Sequence, residues 1–374
     1  MGLPLALLLM LQHQPVIIVD GHVDTPQRML DGKADISVRL ADGHVDVPRM
    51  KEGGLTAAFF SIWVDNTYGA GTAYRRALAL IAAVRVLADT APDAELATTA
   101  DDVRRAAARG HIAVLMGVEG GHAIENSLEK LDDLYARGVR YMTLTWNNGN
   151  DWAGSSMDPA RAGGLSPFGR DVVRRMNALG MLVDVSHVSD STFADVLATT
   201  TRPVIASHSS CRALAAHPRN LTDNQLRAIA RNGGVVGINF FPVFLDDRFR
   251  AQYAELNRRL APQFDSIRAR YPGQPGLADF EIDRFRAARL MEQRIVVPGL
   301  DRLVDHIEHA VQVMGVDHVA LGSDFDGISV LPVPMKDATS LPLLAAALKA
   351  RGYGDSDVRK ILGENFLRVL SAAR

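Results

Sequence analysis

A single cysteine, Cys211, in 374 residues excludes an internal disulfide and any thiolate-based zinc knuckle. A metal ion here would have to be held by His, Asp and Glu, and eleven His are available. Long apolar runs are missing as well. The N-terminal run Leu3 to Leu11 is shorter than the roughly 20 residues of a membrane-spanning helix, and no other stretch resembles a span, so no transmembrane anchor is expected. The run reads either as the apolar part of an export signal within residues 1–14 or as a short helix covering the bottom of the fold. No Lys or Arg precedes it and no small-x-small cleavage site follows, which tips the expectation to a cytoplasmic chain, with export as the alternative. Charge of one sign is absent too. With 41 basic and 43 acidic residues the net charge is -2, which points away from nucleic acid or an anionic membrane as the main partner. No G-x-G-x-x-G follows any apolar run, which removes the commonest nucleotide signature of a doubly wound sheet.

What is present is a normal globular balance, 47% hydrophobic and 22% charged. Eight short apolar runs recur: VIIVDG (16–21), AAFFSIWV (57–64), IAVLMGVEGG (112–121), YMTLTW (141–146), LVDVSH (182–187), PVIASH (203–208), GVVGINF (234–240) and HVALGSDF (318–325). They lack strict polar alternation, as parallel strands buried on both faces do. Helical patterns lie between them, at 72–90, 127–138, 166–180 and 300–315, and several end in Gly just before the next strand. About eight such repeats predict a (β/α)8 TIM-type barrel of class α/β, one domain over residues 1–374. Residues 245–299 break the rhythm between the seventh and eighth strands. They are charged and helical with a break from Pro272 to Gly276, and read as a helical insertion on the rim that serves as a lid, an oligomer contact or a solvated decoration.

In such a barrel, functional side chains gather at the C-terminal strand ends. Strand one ends in His22-Val23-Asp24, strand three in Glu119, strand five in His187, strand six in His208 and strand eight in Asp324. A lone strand-end His or Asp is usually a cap or a satisfied polar residue; five converging on one rim point to a site. The motif DGHVD occurs twice, at 20–24 and 42–46. The first copy follows VIIV, and residues two apart on an extended segment point the same way, so His22 and Asp24 can share an ion. The second follows VRLA with no apolar strand before it. His44 and Asp46 are therefore expected in a loop or helix entry, with Asp46 as a cap.

Three His with carboxylates and no thiolate suit Zn²⁺ or a similar divalent ion. Five ligands exceed the usual three of one catalytic zinc, so two ions with one bridging carboxylate follow. Two ions ~3.5–4 Å apart can hold a hydroxide between them and polarise a carbonyl. Glu119, flanked by Gly120-Gly121, is the expected bridge. Asp324 remains free to take a proton and pass it to the leaving group.

The motifs DGHVD, GVEGGHAI, VDVSHVSD, IASHSSCRAL, HPRNLTD and GSDFDGI, in that order, resemble the membrane (renal-type) dipeptidases, peptidase family M19 of the metal-dependent amidohydrolase-like barrels. The resemblance covers most of the chain, and His-x-Asp rather than His-x-His favours this branch. It implies a binuclear zinc centre, with His22, Asp24 and Glu119 on one ion and Glu119, His187 and His208 on the other. It implies Asp324 as the catalytic acid/base and Arg219 as the grip on a substrate carboxylate. It also implies a small dipeptide-like substrate, sometimes with a D-residue on the C-terminal side, and leaves a homodimer open.

The sequence departs from the family at the end of strand four, where Trp146 in YMTLTWNNGNDW stands in place of a His. Trp has one donor and no acceptor. Trp146 and Asn147 are expected to contact substrate, with Asn148 and Asn150 as further polar groups. The departure keeps a second activity open, a metal-dependent amidohydrolase acting on N-acyl amino acids, lactams or lactones. A non-catalytic ligand-binding barrel is the third reading, against which the full ligand set argues. Trp63 and Asp65 are candidate pocket residues. His111, His122, His306, His309, His318 and Cys211 are assigned to packing or surface.

Overall fold

The computed structural model describes residues 16–373, so the apolar run Leu3–Leu11 and the readings attached to it lie outside the described residues. Among the described residues nine strands form: β1 (Ile18–Val23), β2 (Leu55–Trp63), β3 (Ala94–Leu96), β4 (Ile112–Glu119), β5 (Val139–Thr143), β6 (Leu182–Asp184), β7 (Ile205–Ala206), β8 (Val235–Asn239) and β9 (Val319–Gly322). Eight run in the order β2-β1-β9-β8-β7-β6-β5-β4, and β4 pairs back onto β2 to close a parallel barrel. This is the expected (β/α)8 architecture. The addition is β3, which pairs with β4 from Ala94 opposite Ile112 to Leu96 opposite Val114, below the point where β5 joins at Met116. Three residues are too few to register as a periodic apolar run.

The barrel strands are apolar on both faces because each face meets a different core. On β4, Ala113 and Leu115 point into the barrel with Val19, Ala57, Phe59 and Tyr141. Ile112, Val114, Met116 and Val118 point out against the helices. Glu119 has the parity of the inward set. Gly117, also inward, makes room for Tyr141: a Cβ there would lie 2.0 Å from the Tyr141 Cζ. Phe366 of the helix Asn365–Ala372 closes the bottom against Phe59, ring centres 6.0 Å apart.

Two buried aspartates shape the upper rim. Asp20 Oδ1 accepts from the backbone N–H of His22 (3.1 Å) and of Ser323 (2.9 Å), tying β1 to β9. Asp184 Oδ1 accepts likewise from Ser186 N–H (3.0 Å) and Ser207 N–H (2.9 Å), tying β6 to β7. These side chains take over amides that a longer ladder would have paired. That is why β6 and β7 stop early and the chain beyond them is free to turn inward. On β1, Asp20 pairs with Ala58 and Val23 with Phe60, three steps against two. This bulge turns His22 inward while Val23 packs outward.

The insertion forms two helices, Asp247–Arg268 and Pro275–Glu292, interrupted around Pro272 as expected. They share an apolar cluster with Phe249, Leu256, Leu260, Phe264, Ile282 and Leu290. Among the described residues no helix is long and apolar enough to cross a membrane.

Candidate metal centre and active site

The five strand-end residues converge on one cavity at the C-terminal mouth. Glu119 stands in the middle and its two oxygens divide the histidines. Oε1 lies 2.9 Å from His187 Nε2 and 3.5 Å from His208 Nε2; Oε2 lies 3.4 Å from His22 Nε2. Asp24 Oδ2 is 3.6 Å from the same His22 nitrogen. His187 Nε2 and His208 Nε2 are 3.0 Å apart.

The hydrogen bonds on the far side of each ring set the tautomers. Tyr141 donates its hydroxyl proton to the Gly21 carbonyl (3.1 Å), so at 2.8 Å it accepts from His22 Nδ1–H. Ser207 donates to Asp184 Oδ2 (2.6 Å), so it accepts from His208 Nδ1–H at 2.8 Å. Asn147 Oδ1 faces His187 Nδ1 at 3.1 Å. All three Nε2 atoms point at Glu119. Burial, then the Arg219 charge, holds His187 down to about 4, in the neutral form a metal ligand needs. Burial opposes a charge on His22, but Tyr141, Glu119 and Asp24 together raise its pKa well above the usual imidazole value, so the cluster draws positive charge to that nitrogen. Buried His22 Nε2 and Asp24 Oδ1 have no hydrogen-bond partner. Such a donor set fits divalent cations, and anchored Nδ1 groups are what metal-binding histidines use to fix the ring. His22, Glu119 and His208, and separately His22, Asp24 and Asp324, lie close enough to share an ion.

Asp324 takes a left-handed backbone (φ 65°), as does His187 (φ 68°), a conformation that costs a non-glycine residue about 1 kcal/mol. The distortion brings Asp324 into the cavity, where Asn239 Nδ2 donates to its Oδ2 at 3.0 Å. Burial, then the facing Asp24 charge, raises its pKa to about 7. Asp326, the other acid of SDFDG, is locked elsewhere, accepting from Thr25 Oγ1 (2.7 Å) and His44 N–H (2.6 Å).

Arg219 is 4% exposed, with one nitrogen on the His208 carbonyl (3.0 Å), one on Ser209 Oγ (3.3 Å) and its Nε unpartnered. These partners are neutral, and the Phe244 ring lies 5.5 Å away. Burial lowers its pKa to about 10 yet leaves it charged. Trp146 lines the cavity with its ring 4.9 Å from that of Trp63. The cavity, counted with its open mouth, spans about 810 Å³.

Other expectations resolve individually. Trp63 lines the cavity; Asp65 instead accepts from Thr67 N–H (2.8 Å) in a turn. Asn150 holds its own loop through Ala153 N–H (2.9 Å), and Asn148 faces a separate cavity. His306 is buried between Cys211 N–H (3.1 Å) and the Leu245 carbonyl (3.0 Å), a packing role for both residues. Tyr141, Asp184, Ser207 and Asn239 are functional supports that do not stand out in the sequence. Two signals point to them: Gly117 inside a strand, which marks a close approach, and a serine directly before His208. The inserted helix is more than a rim decoration, because Asp279, Phe280 and Asp283 form one wall of the cavity.

Residues 10–374 match the family model for membrane dipeptidases, peptidase family M19. Similar solved structures include the dipeptidase AC, an M19 metallopeptidase, at 28% identity over 96% of this chain and 99% of that one, TM-score 0.78. Another is a metallopeptidase from Rhodobacter sphaeroides, liganded with a phosphinate mimic of L-Ala-D-Ala, at 27% identity over 96% and 100%, TM-score 0.77. A third is the probable dipeptidase PvdM from Pseudomonas aeruginosa, at 28% identity over 96% and 95%, TM-score 0.80. By sequence over nearly its whole length and by fold, this chain belongs to the membrane dipeptidase family, peptidase family M19.

Proposed function

We propose that this chain is a metal-dependent dipeptidase with a binuclear centre, most simply of zinc. The observation that carries the reading is Glu119, whose two oxygens face different histidines while all three Nε2 atoms point at it. His22, Asp24 and Glu119 would hold one ion; Glu119, His187 and His208 the other. Ions held there supply an electrophile for a carbonyl oxygen and acidify water. Arg219 binds the C-terminal carboxylate through its unpartnered edge, where burial strengthens the pairing. Asp324, buried in the cavity and held by Asn239, accepts a proton from the attacking water and returns it to the leaving amine. Asn147 orients His187, and the paired rings of Trp63 and Trp146 exclude water from one side. The Rhodobacter sphaeroides relative's phosphinate ligand supports L-Ala-D-Ala-like dipeptides as substrates. One domain spanning residues 1–374, with 245–299 as an insertion, is part of the same reading.

The test is hydrolysis by zinc-reconstituted protein of L-L and L-D dipeptides, a C-terminally amidated dipeptide and an N-acetylated amino acid, with chelator-treated protein as control. Metal-dependent cleavage of free dipeptides with the amide refused is expected. Cleavage of the acylated amino acid alone would replace the reading with an amidohydrolase whose pocket Trp146 has reshaped.

A further inference from the structure

We propose that Asp279, on the inserted helix Pro275–Glu292, selects dipeptides whose N-terminal residue carries a cationic side chain. This rests on the dipeptidase reading and adds a substrate class to it. Most charges around the cavity are already committed. Asp326 is paired to Arg28 (3.5 Å) and Asp283 to Arg286. Asp24 and Glu119 belong to the metal centre. Asp324 is held by Asn239. Two charged groups are left without an opposite charge in ion-pair contact: Arg219, nine-tenths buried with a free Nε, and Asp279. Among the described residues Asp279 has no hydrogen-bond or ion-pair partner, and burial, then the Asp65 charge, raises its pKa to about 6.

The two stand on opposite sides of the mouth. Arg219 follows β7. The inserted helix rests over the loops after β1 and β2: Phe280 lies under the Arg28 guanidinium at 4.5 Å, and Tyr68 Oη donates to the Gly273 carbonyl at 3.1 Å. Around the closed ring, β2 is four places from β7 in either direction. Gly276, Asp279, Phe280 and Asp283 are spaced three and four apart, so one helical face looks into the cavity. With the carboxylate on Arg219 and the scissile carbonyl at the metal centre between, the N-terminal residue extends toward this face. Its α-nitrogen lies only about 2.5 Å from the carbonyl carbon, two bonds away, and stays near Asp24 and Asp324. Only the side chain reaches Asp279. A Lys- or Arg-type chain runs along the wall beside Phe280, whose ring already carries Arg28, and sets its charge at Asp279.

The experiment compares L-Lys-D-Ala with L-norleucyl-D-Ala, which has the same stem without the ammonium. Wild type should prefer the Lys substrate about five- to tenfold in kcat/KM, mainly through KM, and less so with added salt. Asp279→Asn should bring the ratio near one, and Asp279→Glu should retain it. Calorimetric binding of the same pair to Asp324→Asn, where turnover is suppressed, gives a readout apart from activity. A preference in binding without cleavage of either dipeptide would uphold the wall and overturn the dipeptidase reading. Cleavage or binding of both alike, or a ratio unmoved by Asp279→Asn, would overturn the selection itself.

Discussion

The two DGHVD segments are identical in sequence, grip the same loop and do different work. In the first, Asp20 pins β1 to Ser323, His22 offers its Nε2 to Glu119, and Asp24 turns into the cavity. In the second, Asp42 pairs with Arg28 (2.5 Å) and His44 clasps Asp326, donating from its backbone and accepting the Asp326 N–H at 2.9 Å. Asp46 caps the helix Val47–Gly53 through Arg49 N–H (2.8 Å) and pairs with the Arg49 guanidinium (2.7 Å). The first copy presents donors to the proposed metal centre. The second holds the 323–326 loop, and with it Asp324, from the other side. Residue identity made both roles chemically available. What separated them was the apolar strand VIIV before the first copy and the Val-Pro helix start after the second.

The contrast predicts a graded series of losses. Replacing His22 with Ala should lower zinc content and cut turnover by about 10³-fold or more, since a proposed metal ligand is lost. Metal analysis of purified protein checks it, and full zinc occupancy would remove His22 from the ligand set. Asp324→Asn should keep the metal yet lower kcat by roughly 10²–10⁴-fold, the range for one general acid–base group. Near-normal turnover would refute its proton role. Tyr141→Phe leaves His22 Nδ1–H without its acceptor and should weaken metal affinity about 10- to 100-fold with the fold intact. A chelator competition measures that. His44→Ala should be mildest. Zinc content stays, and stability falls by about 1–3 kcal/mol as Asp326 N–H loses its partner, read from urea unfolding. If His44→Ala stripped the metal as His22→Ala does, the division of labour between the copies would be wrong.

Much of this site is legible in the order of residues along the chain. His22, Asp24, Glu119, His187, His208 and Asp324 each follow an apolar run, and a parallel barrel collects such positions at one mouth. The unequal fates of the two DGHVD copies are legible from their flanks. Less visible are residues whose partners are remote in sequence. Tyr141 opens a run that reads as core, and it is core except for a hydroxyl that meets His22 only because Gly117 leaves space for the ring. Asp184 looks like a strand residue, yet its carboxylate replaces the ladder between β6 and β7. The inserted helices read as a rim insertion, a lid, an oligomer contact or a solvated decoration, because charged helical sequence does not say which face turns inward. Their inward face, with Asp279 and Phe280, becomes a wall only where it lies across the loops after β1 and β2.

By itself the sequence determined the barrel and its donor inventory. Buried parallel strands need apolar residues on both faces, a thiolate-poor chain must use His and carboxylates, and strand ends are where such residues do not disturb the core. Only the tertiary structure decided which nitrogen of each histidine points at Glu119, that Glu119 turns one oxygen to each side, and that Asp279 and Arg219 line one cavity. Those outcomes depend on the closure of β4 onto β2 and on a bulge in β1, which bring side chains more than a hundred residues apart into hydrogen-bonding distance.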